Sequence, residues 1–334
     1  MAENILVTGG AGYIGSHVVH ELIELGYNVI ILDNLCTGNL VNINANAKFV
    51  RGDINDDDIL DSVFSNGINT VFHFAAHKAA GESMSNPSKY AINNIGGSIK
   101  LLNKMVKYGV NYIIFSSSAA VYGNPVILPI KEDHPLYPIN YYGYTKLSIE
   151  QNLKWFSELK GIKYAALRYF NATGYDVQGR IKGKEKNPAN LCPIIMEVIS
   201  GERKEMEVYG NDYQTPDGTC IRDYIHVNDL SSAHIKALDY IIHKNENLIV
   251  NLGTGKGFSV LELISAAEKV SGKKVNYKIS GRRTGDPEIL IACSDLANEV
   301  LNWKAIYSEP EQIFKSMISV YLSKLIKFEE RNLR

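Results

Sequence analysis

Tyr142-Gly143-Tyr144-Thr145-Lys146 sets a phenol and an ammonium four residues apart. On a helix that spacing brings both groups to one face, where they can address one small site. Lowering a tyrosine from its ordinary value near pH 10 to about 7 requires roughly 4 kcal/mol of preferential stabilisation of the phenolate. The Lys146 charge supplies part of that, and a second positive charge at the site would complete it. Upstream, Ser116-Ser117-Ser118 adds hydroxyls. The chemistry that fits is oxidation of an alcohol: Tyr142 accepts the proton and Ser118 holds the oxygen, while carbon gives up its hydrogen with the electron pair. Serines at a strand end commonly just satisfy turn backbone groups, but three in a row upstream of Tyr142 favour at least one working hydroxyl.

An acceptor for that hydrogen is suggested by Gly9-Gly10-Ala11-Gly12-Tyr13-Ile14-Gly15. Its glycines at 10, 12 and 15 follow a predicted strand and open a predicted helix, the context that makes such spacing meaningful. Without side chains the backbone can approach a pyrophosphate, and the helix start offers unpaired N–H groups and partial positive charge. Alone, the glycines could form only a tight turn. Gly9, Gly12, Tyr13, Ile14 and Gly15 are the candidate cofactor contacts here. Asp33, about twenty residues on, can accept from both ribose hydroxyls and would oppose a 2′-phosphate, so NAD is preferred to NADP. A capping or turn role for Asp33 beside Asn34 is the plainer alternative. Asp53, followed by Ile54, could hold the adenine amino group or be a loop aspartate. An oxidised nicotinamide would be the second positive charge that Tyr142 needs.

The elements that must position these groups alternate between β-branched runs and amphipathic segments. Residues 4–8, 28–32, 48–50, 70–75, 112–115 and 163–168 read as strands. Residues 17–25, 59–65, 89–108 and 141–158 have helical spacing, with Gly26 and Gly109 where helices should end. The fold class expected is α/β, a doubly wound parallel sheet (Rossmann-like) that binds ligands beyond the carboxyl ends of its strands. The polar stretch 174–188 reads as a long loop into a second, smaller mixed α/β lobe. The expected division is 1–173 for the nucleotide and 174–334 for the substrate, with about 229–256 crossing back.

At 334 residues two unequal lobes are the default. Thirty-five basic against thirty-six acidic residues advertise neither nucleic acid nor an anionic membrane as partner. Cys36, Cys192, Cys220 and Cys293 are widely spaced, which points to reduced thiols in a cytoplasmic protein and to no metal site. No signal peptide or membrane-spanning run is expected. Asn171-Ala172-Thr173 matches a glycosylation acceptor by chance.

The segments VTGGAGYIGSH, ILDNLCTGN, HFAAHKAAGES, FSSSAAVYG, YYGYTK, LRYFNATG, YGNDYQTPDGTCIRDYIHV, VNLGTG and GRRTGDPE resemble the extended short-chain dehydrogenase/reductases, and within them the UDP-glucose 4-epimerase family, over nearly the whole chain. The Gly-rich turn and the YxxxK pair mark only the superfamily; the serines before VYG and the run Tyr209 to Val227 are more specific. Related 4,6-dehydratases carry an Asp-Glu pair where this chain has serines. The resemblance implies interconversion of UDP-galactose and UDP-glucose through a 4-keto sugar, with NAD retained, usually in a homodimer joined through helices 89–108 and 141–158. It also implies that Ser118 and Tyr142 act at the C4 hydroxyl and that Lys146 binds nicotinamide ribose. Lys78 would approach the phosphates, and Asn93, Ser116 and Tyr169 would line the nicotinamide side. Asn171, Asn190, Leu191, Arg222, Arg283, Asp286 and Leu290 would hold the UDP-sugar.

Three departures stand out. Ala120 replaces a threonine of many relatives. The loop 180–186 is lysine-rich where relatives are often acidic. Leu290 is intermediate between the tyrosine of hexose-restricted relatives and the small residue of those accepting N-acetylhexosamines. A UDP-N-acetylglucosamine or UDP-uronic acid 4-epimerase, and a non-catalytic NAD sensor on the same fold, are the alternative readings; a sensor could dispense with the tyrosine or lysine, and this chain has both.

Overall fold

The computed structural model describes residues 3–186, 188–283 and 287–322, and among these seven strands form one parallel sheet. Its strands are β1 (Asn4–Thr8), β2 (Asn28–Asp33), β3 (Lys48–Arg51), β4 (Thr70–His73), β5 (Tyr112–Ser118), β6 (Lys163–Tyr169) and Leu248–Leu252. The last lies at one edge, followed by β6, β5, β4, β1, β2 and β3. Strand order reverses at β1, whose neighbours are β2 and β4; a doubly wound sheet binds its ligand at that crevice.

The alternation of side chains along each strand builds a core on both faces. Ile5, Val7, Val29, Ile31 and Ile114 pack against helices Tyr13–Glu24 and Val227–Lys244. Leu6, Ile30, Leu32, Val71 and Ile113 face helices Asp57–Phe64, Gly97–Tyr108 and Tyr141–Lys160. The chain therefore returns to this sheet late, with helix Val227–Lys244 on one face and Leu248–Leu252 at the edge.

Two differences from the spacing bear on the site. β5 runs three residues further than 112–115, because Ser116, Ser117 and Ser118 keep register with Leu167, Arg168 and Tyr169 on β6. The helical run expected at 89–108 is divided into Pro87–Tyr90, a π-helical turn Ala91–Gly96, and Gly97–Tyr108. π segments are short insertions frequent at functional sites, and hydrophobic period does not reveal them.

A second core joins helices Leu191–Ser200, Val260–Ser271 and Pro310–Tyr321 with residues such as Tyr175, Met206, Val208 and Val275. Its short strands pair in both directions: Ile221–Arg222 runs antiparallel to Phe258–Ser259 and parallel to Ile289–Leu290. The two cores meet at Tyr13, which packs against the second core and whose hydroxyl donates to the Gly174 carbonyl.

Candidate active site

The cleft lies beyond the carboxyl ends of β1, β2, β4 and β5. At its centre, the turn after β1 has room for no side chain at Gly9, where φ is +74° and a Cβ would lie 2.7 Å from the Ala75 nitrogen. A Cβ on Gly15 would overlap the Gly9 carbonyl. Helix Tyr13–Glu24 starts there with Gly12 as N-cap and no side-chain cap, leaving its first N–H groups without intrahelical partners.

Asp33 ends β2 buried, accepting from Ala11 N at 3.0 Å and Leu35 N at 2.8 Å. Burial raises its pKa and these N–H groups oppose the rise. Each carboxylate oxygen can accept further bonds. Asp53 is more fully engaged: Asn34 Nδ2 donates to it at 2.7 Å, and Asn55 N and Nδ2 donate at 2.8 and 2.9 Å. Burial would raise its pKa, but these bonds outweigh that and lower it.

At the other end, strand alternation gives the three serines different surroundings. Ser116 and Ser118 line the cleft, whereas Ser117 does not. The Ser117 hydroxyl donates to buried Glu150, which also pairs with Arg168, Nη2 to Oε2 at 2.6 Å. Ser116 Oγ is hydrogen-bonded to the Tyr169 hydroxyl. The Ser118 side chain accepts from Ala120 N at 3.2 Å and lines the cleft with Tyr142.

Tyr142 and Lys146 share one face of helix Tyr141–Lys160, with Lys146 Nζ 5.8 Å from the Tyr142 ring centroid. Asn140 begins this helix by accepting from Gly143 N at 2.8 Å. Lys146 Nζ donates to the Ser116 carbonyl at 2.6 Å. Burial pulls its pKa down to about 7, opposed by the Glu150 charge. Burial pushes the Tyr142 phenol up, opposed by the Ser118 hydroxyl. Burial thus works against the phenolate, and a positive charge held in the cleft would favour it.

A model of the NAD dependent epimerase/dehydratase family matches residues 5–253. The UDP-glucose 4-epimerase of Halalkalibacterium halodurans is 48% identical over 309 residues, covering 92% of each chain. That of Streptococcus mutans is 46% identical over 316 residues, covering 93% of this chain and 95% of its own. Among solved structures, UDP-glucose 4-epimerase from Brucella ovis in complex with NAD superposes with TM-score 0.92 at 43% identity, covering 94% of this chain and 97% of that one. The Bifidobacterium longum enzyme in complex with NAD+ and UDP gives 0.89 at 40% identity, covering 96% and 98%.

The chain belongs to the NAD dependent epimerase/dehydratase family.

As in a member of that family, the cleft fits a dinucleotide. The glycine cradle and the uncapped helix start suit a pyrophosphate, and Asp33 suits a ribose diol. Lining it are Gly9, Gly12, Tyr13, Ile14, Gly15, Asp33, Asn34, Asp53, Ile54, Lys78, Asn93, Ser116, Ser118, Tyr142, Lys146, Tyr169, Asn171 and Asn190. Other positions lie elsewhere. Leu191 lines a small adjoining pocket with Asn171 and Asn190. Arg222 Nη1 donates to the Ile221 and Glu288 carbonyls, at 2.9 and 3.3 Å, and Arg283 lies over the Tyr209 ring, 3.8 Å from its centroid. Leu290 stands in register with Arg222 and packs on the cluster of Ala119, Tyr122 and Phe170. Asp286 falls outside the described residues. Lys78 is paired with Glu185.

Sequence reasoning missed several supports. Asn94, on the π turn, accepts from His77 N at 2.8 Å and donates to the His77 carbonyl at 3.0 Å and to Thr145 Oγ1 at 3.1 Å. It thereby ties the loop after β4 to the helix of Tyr142. Ser83 accepts from Tyr142 N at 3.0 Å. Asn39, Asn42, Gly183 and Glu185 also line the cleft; only the lysine-rich character of 180–186 drew notice to that loop. Among the described residues no group of His, Cys, Asp and Glu is placed to hold a metal, and no helix is long and apolar enough to cross a membrane.

Proposed function

We propose that the chain interconverts UDP-galactose and UDP-glucose by oxidising C4 to a ketone and reducing it on the opposite face. Tyr142 takes the proton of the C4 hydroxyl, Ser118 holds that oxygen, and Lys146 contributes charge and a ribose contact. Held by the glycine turn, Asp33 and Lys146, NAD would supply the acceptor, and on return the donor, for the C4 hydrogen and its electron pair. On return, Tyr142 delivers the proton again, so no net oxidation occurs.

One observation carries this reading: Ser118, Tyr142 and the buried Lys146 line one cleft beyond the sheet, with Lys146 on the same helix face as Tyr142. A dehydratase reading is less favoured, because Ser117 is engaged by Glu150 and Ser118 cannot act as a carboxylic acid. Asn171, Asn190, Leu191, Arg222, Arg283, Asp286 and Leu290 are assigned to the UDP-sugar. Arginine forks match diphosphate oxygens, and for Arg222 and Arg283 that role requires leaving their present partners. We read 1–173, with the returning segments of 229–256, as the NAD-binding unit and 174–334 as the UDP-sugar unit.

A homodimer is supported by exposed apolar side chains on the two helical runs, Ile92 and Val106 on one, Tyr144, Trp155 and Leu159 on the other. The last three are spaced by eleven and four residues, which is one helix face. The four free cysteines suit a cytoplasmic location. The deciding assay incubates purified protein with UDP-galactose without added cofactor; UDP-glucose should form, and its absence from NAD-containing protein would refute the reading.

A further inference from the structure

We propose that residues 180–186 form a strap that locks the dinucleotide into the cleft, fastened by Gly183 to Asn42 and by Glu185 to Lys78. The inference rests on the cleft being the NAD site. Asn42 follows β2 and Lys78 follows β4, so the two fastenings stand on opposite sides of β1 and its glycine turn.

Each fastening is specific. Buried Asn42 makes a paired contact with one peptide unit, accepting from Gly183 N at 2.7 Å and donating to the Gly183 carbonyl at 3.2 Å. A Cβ at 183 would come within 2.6 Å of Asn39 Nδ2, so glycine permits the close approach. On the far side, the Glu185 carboxylate is 7% exposed and pairs with Lys78, while Glu185 N donates to the Tyr175 hydroxyl at 3.2 Å. Glu185 Oε2 is buried with no partner in the protein, leaving an acceptor in the cleft wall for a hydroxyl of the bound nucleotide. The strap's beginning is fixed too: Arg180 reaches Asp176, Glu21 and Glu24.

Asn42, Gly183, Lys184 and Glu185 line the same cleft as Gly12 and Asp33. A strap joined to both halves of the sheet closes the mouth over the glycine turn, and the nucleotide leaves only when a fastening opens. Asn42 and Glu185 are thus positioning residues for retention and take no part in the proton transfers.

The test is NAD release from the purified holoenzyme. Protein is passed into NAD-free buffer, and nucleotide remaining bound is measured over time for wild type, Asn42→Ala and Glu185→Gln. Loss of one charge-assisted or paired hydrogen bond should speed release by roughly tenfold. If Asn42→Ala fails to fold, Glu185→Gln decides alone. Release at the wild-type rate or slower overturns the strap. Wild-type protein that neither carries nor takes up NAD would overturn the functional reading, and the strap with it.

Discussion

Lys146 donates a 2.6 Å hydrogen bond to the Ser116 carbonyl, which holds its ammonium in a buried position where carrying a charge is costly.

That cost gives a pH signature. Burial lowers the folded-state pKa of Lys146 to about 7, below its unfolded value near 10.4. Between those values the unfolded chain binds more protons, so stability of the cofactor-free protein rises with pH there and carries the full penalty below about 7. Lys146→Met should therefore raise the melting temperature of the cofactor-free protein by a few degrees at pH 6.5, with the gap closing toward pH 10. Thermal melts across that range check the sign; a gap independent of pH would contradict it.

Tyr142→Phe should lower kcat by roughly 10²–10⁴-fold while NAD remains bound. Ser118→Ala, which removes a hydrogen bond and leaves the base, should cost about 10–100-fold. Because burial raises the phenol's pKa in the protein alone, ultraviolet titration should detect the Tyr142 phenolate at lower pH in the NAD-bound protein than in the cofactor-free one. Identical titrations would remove nicotinamide's charge from the account.

The neighbouring serine should behave oppositely. Ser117→Ala removes a donor to buried Glu150, so we expect about 1–3 kcal/mol of lost stability with kcat little changed. Arg168→Met leaves Glu150 without its buried counter-ion and should cost about 3–5 kcal/mol. Denaturant midpoints beside turnover separate these effects, and a Ser117→Ala enzyme that is stable but slow would reverse the assignment.

Leu290 bears on substrate size. It packs against Ala119, Tyr122 and Phe170, next in sequence to Ser118 and Asn171. If the residue at 290 limits the room beside the sugar, Leu290→Tyr should reduce turnover of UDP-N-acetylglucosamine relative to UDP-glucose. Undetectable wild-type activity on the acetamido sugar would rule out the permissive reading.

The parallel sheet was legible because β-branched runs alternated with helical spacing, and the glycine turn and Asp33 fell at strand ends where backbone geometry fixes their place. Tyr142 and Lys146 were equally readable, since one helix carries both. What spacing could not show depends on contacts distant in sequence. Ser117 meets Glu150 thirty-three residues later, and Asn42 meets Gly183 across 141 residues. The π turn bearing Asn94 has no periodic signal. Arg222 and Arg283 were placed by resemblance alone, and their carbonyl and ring partners depend on how the second core folds.

Because β5 continues through its serines, their roles are assigned by parity: odd and even positions look to opposite sides of the sheet. Inserting one residue between Phe115 and Ser116 would turn Ser117 toward the cleft and send its neighbouring serines toward the buried Glu150–Arg168 pair. The length of this segment is therefore as much a part of the site as its hydroxyls.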